Sequence, residues 1–153
     1  MQHSNWNQKK NKIYIVYNAD QSLSGFLLNW LNRIIFPNTY NCNLTKLTHD
    51  KFGLKKEWQD FIRSLNHETE ILYRNDFLRQ FPLPDPEFPT IFTYNNSLKI
   101  LVDHNQINAL NSLPELIKII KEEAKRHDPN FEVDEDYPVA GYNCRHVIVR
   151  RVK

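Results

Sequence analysis

Cys42, followed three positions later by Thr45, has the clearest capacity for chemistry in this 153-residue chain. A lone thiol can attack a disulfide through its thiolate and hold a mixed disulfide, and a neighbouring hydroxyl or backbone N–H can support that thiolate. The second sulfur, Cys144, lies 102 positions on, so a two-thiol cycle within Cys42–Thr45 is not possible. The two sulfurs meet only if the C-terminal arm folds back over the Cys42 region. A metal reading would combine Cys42 and His49 with one of His67, His104, Cys144 or His146. Zinc sites normally carry close ligand pairs, and seven positions between Cys42 and His49 do not make one. No metal and no cofactor is therefore expected. Asp20, Ser22 and Ser24 include a possible nucleophile, but no histidine matches them by spacing. Acidic and hydroxyl residues after a strand serve first as helix caps.

The bulk properties narrow the field. Hydrophobic residues make up 41% and charged residues 25%, the balance of one globular domain with a core of its own. The formal net charge of +2 gives no reason to expect nucleic acid or membrane as a partner. Only three glycines occur, and neither a phosphate-cradling loop nor a dinucleotide fingerprint is present. Two cysteines do not form a disulfide framework. No apolar run approaches the roughly 20 residues of a membrane span. Met1 to Asn11 is polar and lacks the apolar core of a secretion signal, so the cytoplasm is the expected location.

These residues need elements to position them. Lys12-Ile13-Tyr14-Ile15-Val16-Tyr17 is an apolar, β-branched run that suits a strand buried on both faces. Leu23, Phe26, Leu27, Trp30, Leu31 and Ile34 recur at helical spacing, and Pro37 closes that helix. Asn38 to Phe52 has no sustained period and reads as irregular. Leu54 to Leu65 carries Trp58, Phe61 and Ile62 on one helix face. Glu70 to Tyr73 is a short strand, and Asn75 or Asp76 can cap a helical turn through Phe81. Phe88 to Val102 then reads as a hairpin opened by Pro89, turning at Asn95-Asn96-Ser97. Asp103 to Asn111 is a connection. Leu113 to about Arg126 is the last helix, with Pro114 in its first turn, where a missing N–H costs nothing. Beyond it, an acidic run (Glu132 to Asp136) balances a basic one (Arg145 to Lys153), which suits a self-neutralising pair of segments.

A proline-opened hairpin feeding a terminal helix resembles the C-terminal half of the thioredoxin fold, where that proline is cis and faces the active site. The blocks Tyr14 to Asp20 and Pro37 to Thr48 look like a little-characterised bacterial branch of the thioredoxin-like superfamily, and the resemblance covers roughly residues 12–125. Members of that branch carry a second cysteine where Thr45 stands. The separation of 47 residues between Cys42 and Pro89 also fits the superfamily. Its strictest motif position, directly after the first strand, is Gln21-Ser22-Leu23-Ser24 here and holds no sulfur.

The resemblance implies an α/β fold: a central mixed sheet of about four strands flanked by helices, with a C-terminal extension. It divides the chain into a disordered tail (1–11), a thioredoxin-like domain (12–127) and an arm or edge strand (128–153). It places Cys42, Thr45 and Pro89 at the site. With the dithiol motif incomplete, the expected function is a binding or adaptor module, and the alternative is a monothiol disulfide oxidoreductase using Cys42. The implied partner is a protein or a thiol substrate, with a homodimer as one arrangement.

Overall fold

A computed structural model describes residues 11–19, 42–134 and 147–148. The strand Lys12–Tyr17 (β1) is the axis of the sheet. Its side chains alternate between two cores, which is why the whole run from Ile13 to Tyr17 is apolar or aromatic. Ile13, Ile15 and Tyr17 enter the larger core, and Tyr14 and Val16 enter the smaller one. Glu68–Tyr73 (β4) lies parallel to β1 on one side, with Ile15 opposite Ile71. Thr90–Asn95 (β5) lies antiparallel on the other side, with Ile15 opposite Ile91. Ser97–Val102 (β6) pairs antiparallel with β5, and Asn96 turns between them at φ 61°.

These four six-residue strands make a mixed sheet. Val147–Ile148 (β7) adds a two-residue strand parallel to the outer side of β4, giving the order β6-β5-β1-β4-β7. The fold is thus α/β with a mixed sheet.

Residues 42–52 of the stretch read as irregular are ordered. Asn43–Thr48 forms a helix (α1), and His49–Asp50 (β2) pairs with Gly53–Leu54 (β3) in a small separate hairpin. A six-residue helix and two-residue strands are too short to print a period, so the sequence carries no pattern for them. The next helix is Lys56–Ser64 (α2), shorter than the reading from Leu54, because Leu54 belongs to the hairpin. Trp58, Phe61 and Ile62 are its buried face.

After β4 the chain turns directly into Arg74–Gln80 (α3). Neither Asn75 nor Asp76 caps it: the N-cap is Tyr73, and Asp76 is buried with Arg79 Nη1 at 3.2 Å. The connection after β6 contains a further helix, His104–Asn108 (α4), fixed by a reciprocal capping box between Asp103 and Gln106. Leu113–His127 (α5) is the long terminal helix, capped by Ser112 and packed through Leu116, Ile120 and Ala124. The larger core lies between the sheet and the α1, α2 and α5 helices, while α3 covers the smaller one through Phe77. The helix read over Leu23–Ile34 lies outside the described residues.

Candidate functional site

Parallel strands β1 and β4 both end at one edge of the sheet, at Tyr17 and Tyr73, and β5 begins there. In open α/β sheets, ligands bind beyond the carboxyl ends of the strands. Pro89, buried and joined to Phe88 by a cis peptide bond, directly precedes β5. The last β1–β5 pair is Val16 with Thr90, so the next residues outward are Tyr17 and Pro89. Ile91, the second residue of β5, packs in the larger core with Tyr17 and Cys42.

Cys42 is the residue before α1 and is only 2% exposed. Its side chain makes no capping hydrogen bond with the helix. Thr45, in the first turn, is 5% exposed, so both members of the sequence motif face inward. Asn43 lies between them and is held by Nδ2 donating to the Ile107 and Leu110 carbonyls at 2.7 and 3.0 Å. This ties α1 to α4 and fixes where Cys42 sits. Cys144, the other sulfur, lies outside the described residues, as do Asp20 and the whole of Gln21-Ser22-Leu23-Ser24.

The polar chemistry beside Cys42 belongs to residues the sequence did not single out. Thr48 Oγ1 donates to the Leu44 carbonyl at 2.7 Å, which uses its one proton. The Tyr17 hydroxyl, 2.8 Å from the same oxygen, therefore donates to it. His49 Nδ1 stands 2.9 Å from Thr48 Oγ1, and its ring meets the Tyr17 ring edge-on at 5.4 Å. Burial pushes the Tyr17 phenol well above its ordinary pKa, and the hydrogen bond to Thr48 works the other way. Tyr17 thus remains a neutral donor throughout the physiological range. The Trp58 indole also acts on this phenol, but its Nε1–H reaches no hydrogen-bond partner although the residue is fully buried. The signal that could have found this group is positional: Tyr17 is the last residue of the central strand, where the fold class places its sites.

A second polar group closes the opposite edge of the sheet, where β1 and β4 begin. His67 is 7% exposed, with Nε2 3.0 Å from Asp128 Oδ2 and Nδ1 2.6 Å from Asn66 Oδ1. Asn11 Nδ2 donates to the same Asp128 oxygen. The chain after α5 then runs back along the end of α2. Asp134 N bonds to the Ser64 carbonyl at 2.8 Å, Asn66 N bonds to the Glu132 carbonyl at 3.2 Å, and Leu65 bridges Val133. Phe131, 2% exposed, plugs the larger core beside the His67 ring. This is a structural clasp: His67 sits between two acceptors, and its neutral ring donates to one of them.

The clasp makes stability depend on acid. Desolvation lowers the His67 pKa below 6.5, with Asp128 offsetting part of that shift. Desolvation pushes Asp128 up, but hydrogen bonds from the Asn130 N–H, Asn11 and His67 outweigh it and hold the carboxyl below 3.8. In both cases the unfolded chain binds protons more readily than the folded one, so stability falls as pH falls. The His67 contribution is lost from pH 6.5 downward and the Asp128 contribution below 3.8. Urea midpoints measured from about pH 7 to pH 3 should therefore decline in two limbs, and His67→Gln should flatten only the upper one.

Among the described residues, no group of three His, Cys, Asp or Glu side chains converges as a metal site, and no helix is long and apolar enough to cross a membrane. Two surface grooves of about 420 and 460 Å³ run along α5, lined by Lys118, Lys121, Lys125, Glu57, Glu122 and Glu132 among others, and neither includes Cys42, Thr45 or Pro89. No family model, curated protein or solved structure matches this chain.

Proposed function

We propose that this protein is a thioredoxin-like module that acts by binding, as an adaptor, and not by thiol–disulfide exchange. The thioredoxin-like reading draws support from the strand order β6-β5-β1-β4, with β4 parallel to β1, β5 antiparallel to it, and Pro89 at the entry to β5. The burial of Cys42 carries the functional reading. A thiol that is 2% exposed and packed among Tyr17, Leu44 and Leu47 behaves as a small apolar residue, whereas reactive cysteines are partly exposed in electropositive surroundings. Thr45 stands where a resolving sulfur would have to be.

Alkylation kinetics across pH in a Cys144→Ser background test this reading, because Cys42 is then the sole reporter. The expected outcome is slow modification under native conditions that accelerates sharply once urea unfolds the chain. Rapid modification near pH 7, below the ordinary thiol pKa of about 8.5, would overturn the binding reading and favour a monothiol oxidoreductase using Cys42. A glutathione mixed-disulfide assay on Cys42→Ser would then identify the sulfur responsible.

A further inference from the structure

The small β2–β3 hairpin stands outside the main sheet and carries the most exposed large apolar side chain among the described residues. Phe52 is 87% exposed, against 54% for Ile100 and 36% for Leu83. Its position is built and not incidental. Asp50 Oδ1 accepts from the Phe52 N–H at 2.7 Å, and Gly53 follows at φ +118°, a conformation that side-chain-bearing residues rarely adopt. The hairpin base is closed by Lys55 N donating to the Thr48 carbonyl at 2.8 Å. Thr48 is itself fully buried and bonded to Tyr17. A core-anchored turn thus holds an aromatic ring out in water.

The same stretch concentrates charge. Residues 46–60 contain Lys46, Lys51, Lys55 and Lys56 against Asp50, Glu57 and Asp60, a net +1, and Lys56 is paired with Asp60 at 4.0 Å. Lys51 precedes the exposed phenylalanine directly, and Lys46 and Lys55 flank the hairpin in sequence. The Lys51 ammonium sits 5.0 Å from the centre of the Phe52 ring.

We propose that this hairpin tip docks on an anionic phospholipid surface, with Phe52 entering the headgroup region and the lysines meeting lipid phosphates and carboxylates. Charge complementarity selects an anionic partner, and the shape selects a lipid one. A protein partner needs roughly 800 Å² of matched surface per side, far more than a six-residue hairpin presents. An interfacial aromatic beside lysines whose ammonium groups reach the headgroups is the arrangement that peripheral membrane contacts use. This contact is independent of the Tyr17 edge of the sheet and of whether Cys42 reacts.

Co-sedimentation of the full chain with phosphatidylcholine vesicles, with and without phosphatidylserine, tests the proposal. Binding is expected only with phosphatidylserine, weakening steeply as salt is raised. Phe52→Ser should weaken it about tenfold, and each of Lys51→Gln and Lys55→Gln about fivefold. These side chains lie at or near the surface, so circular dichroism should report an unchanged fold. Ile100→Ser, which removes an exposed apolar group on β6, should leave binding intact. Absence of binding to phosphatidylserine vesicles would overturn the proposal, as would equal losses in Ile100→Ser and Phe52→Ser. Binding to polyuridylate or polyglutamate without binding to vesicles would overturn it in favour of a nucleic acid or an acidic protein.

Discussion

Trp58→Ala is expected to lower the free energy of unfolding by about 3–5 kcal/mol, measured by urea denaturation. Trp58 is fully buried on α2, packs against Phe61 with ring centres 5.7 Å apart, and fills the core between that helix and the β1 end that carries Tyr17. Its removal opens a cavity that three elements would have to collapse into at once. Total stabilities of single domains run from about 5 to 15 kcal/mol, so the loss would be a large fraction of the whole. Trp58→Phe separates packing from polarity at the same position. It keeps much of the ring but deletes the Nε1–H that has no hydrogen-bond partner, and leaving a buried donor unsatisfied costs about 1–3 kcal/mol. The two terms oppose each other, so Trp58→Phe should fall within about 1.5 kcal/mol of the parent. A Phe variant as unstable as the Ala variant would mean that the indole N–H is satisfied after all.

Phe77→Ala should cost a similar amount, about 3–5 kcal/mol, but in the other core and with a different signature. Phe77 is fully buried and stacks on Phe92 of β5 at 4.5 Å, with Tyr14, Phe81 and Phe88 around its edges at 5.2–6.1 Å. This ring holds the seven-residue α3 helix to the sheet, and a helix that short does not form alone in water. Hydrogen exchange should therefore accelerate first across Arg74–Gln80, while α5 on the opposite face keeps its protection. A double-mutant cycle of Phe77→Ala with Phe92→Leu should give a coupling of about 0.5–1.5 kcal/mol, the range for stacked aromatic pairs. Zero coupling would mean that the stack contributes no more than its buried area.

The parts of the fold legible in the sequence were those with enough length to repeat a pattern. β1 announced its burial on both faces through five consecutive apolar or aromatic residues, and α5 announced itself through three- and four-residue spacing behind Pro114. The β5–β6 hairpin was legible for the same reason. What stayed hidden was short or non-local. α1, β2 and β3 span six, two and two residues, too few for periodicity to accumulate. The α4 helix did carry a readable sign, Asp103 followed three residues later by Gln106, and a capping box of that kind deserves weight even when five residues follow it. Cys42, Thr45 and Pro89 were singled out by residue type and order, and no local rule carries the burial of both Cys42 and Thr45. The His67–Asp128 contact joins residues 61 positions apart, and no local rule pairs them.

The position of β1 at the centre of the sheet also bears on how the chain is made. Ile15 pairs with Ile71 and Ile91, which lie 56 and 76 residues later. A ribosome therefore releases Lys12–Tyr17 long before either neighbour exists. Until then the nascent chain displays six residues of high β-propensity with a single charge, the composition that pairs readily with other chains. Non-local pairing of this kind slows folding, because the intervening loop must close before the contact is gained. The strand around which the sheet is ordered thus waits 56 and 76 residues of synthesis with both of its edges uncovered.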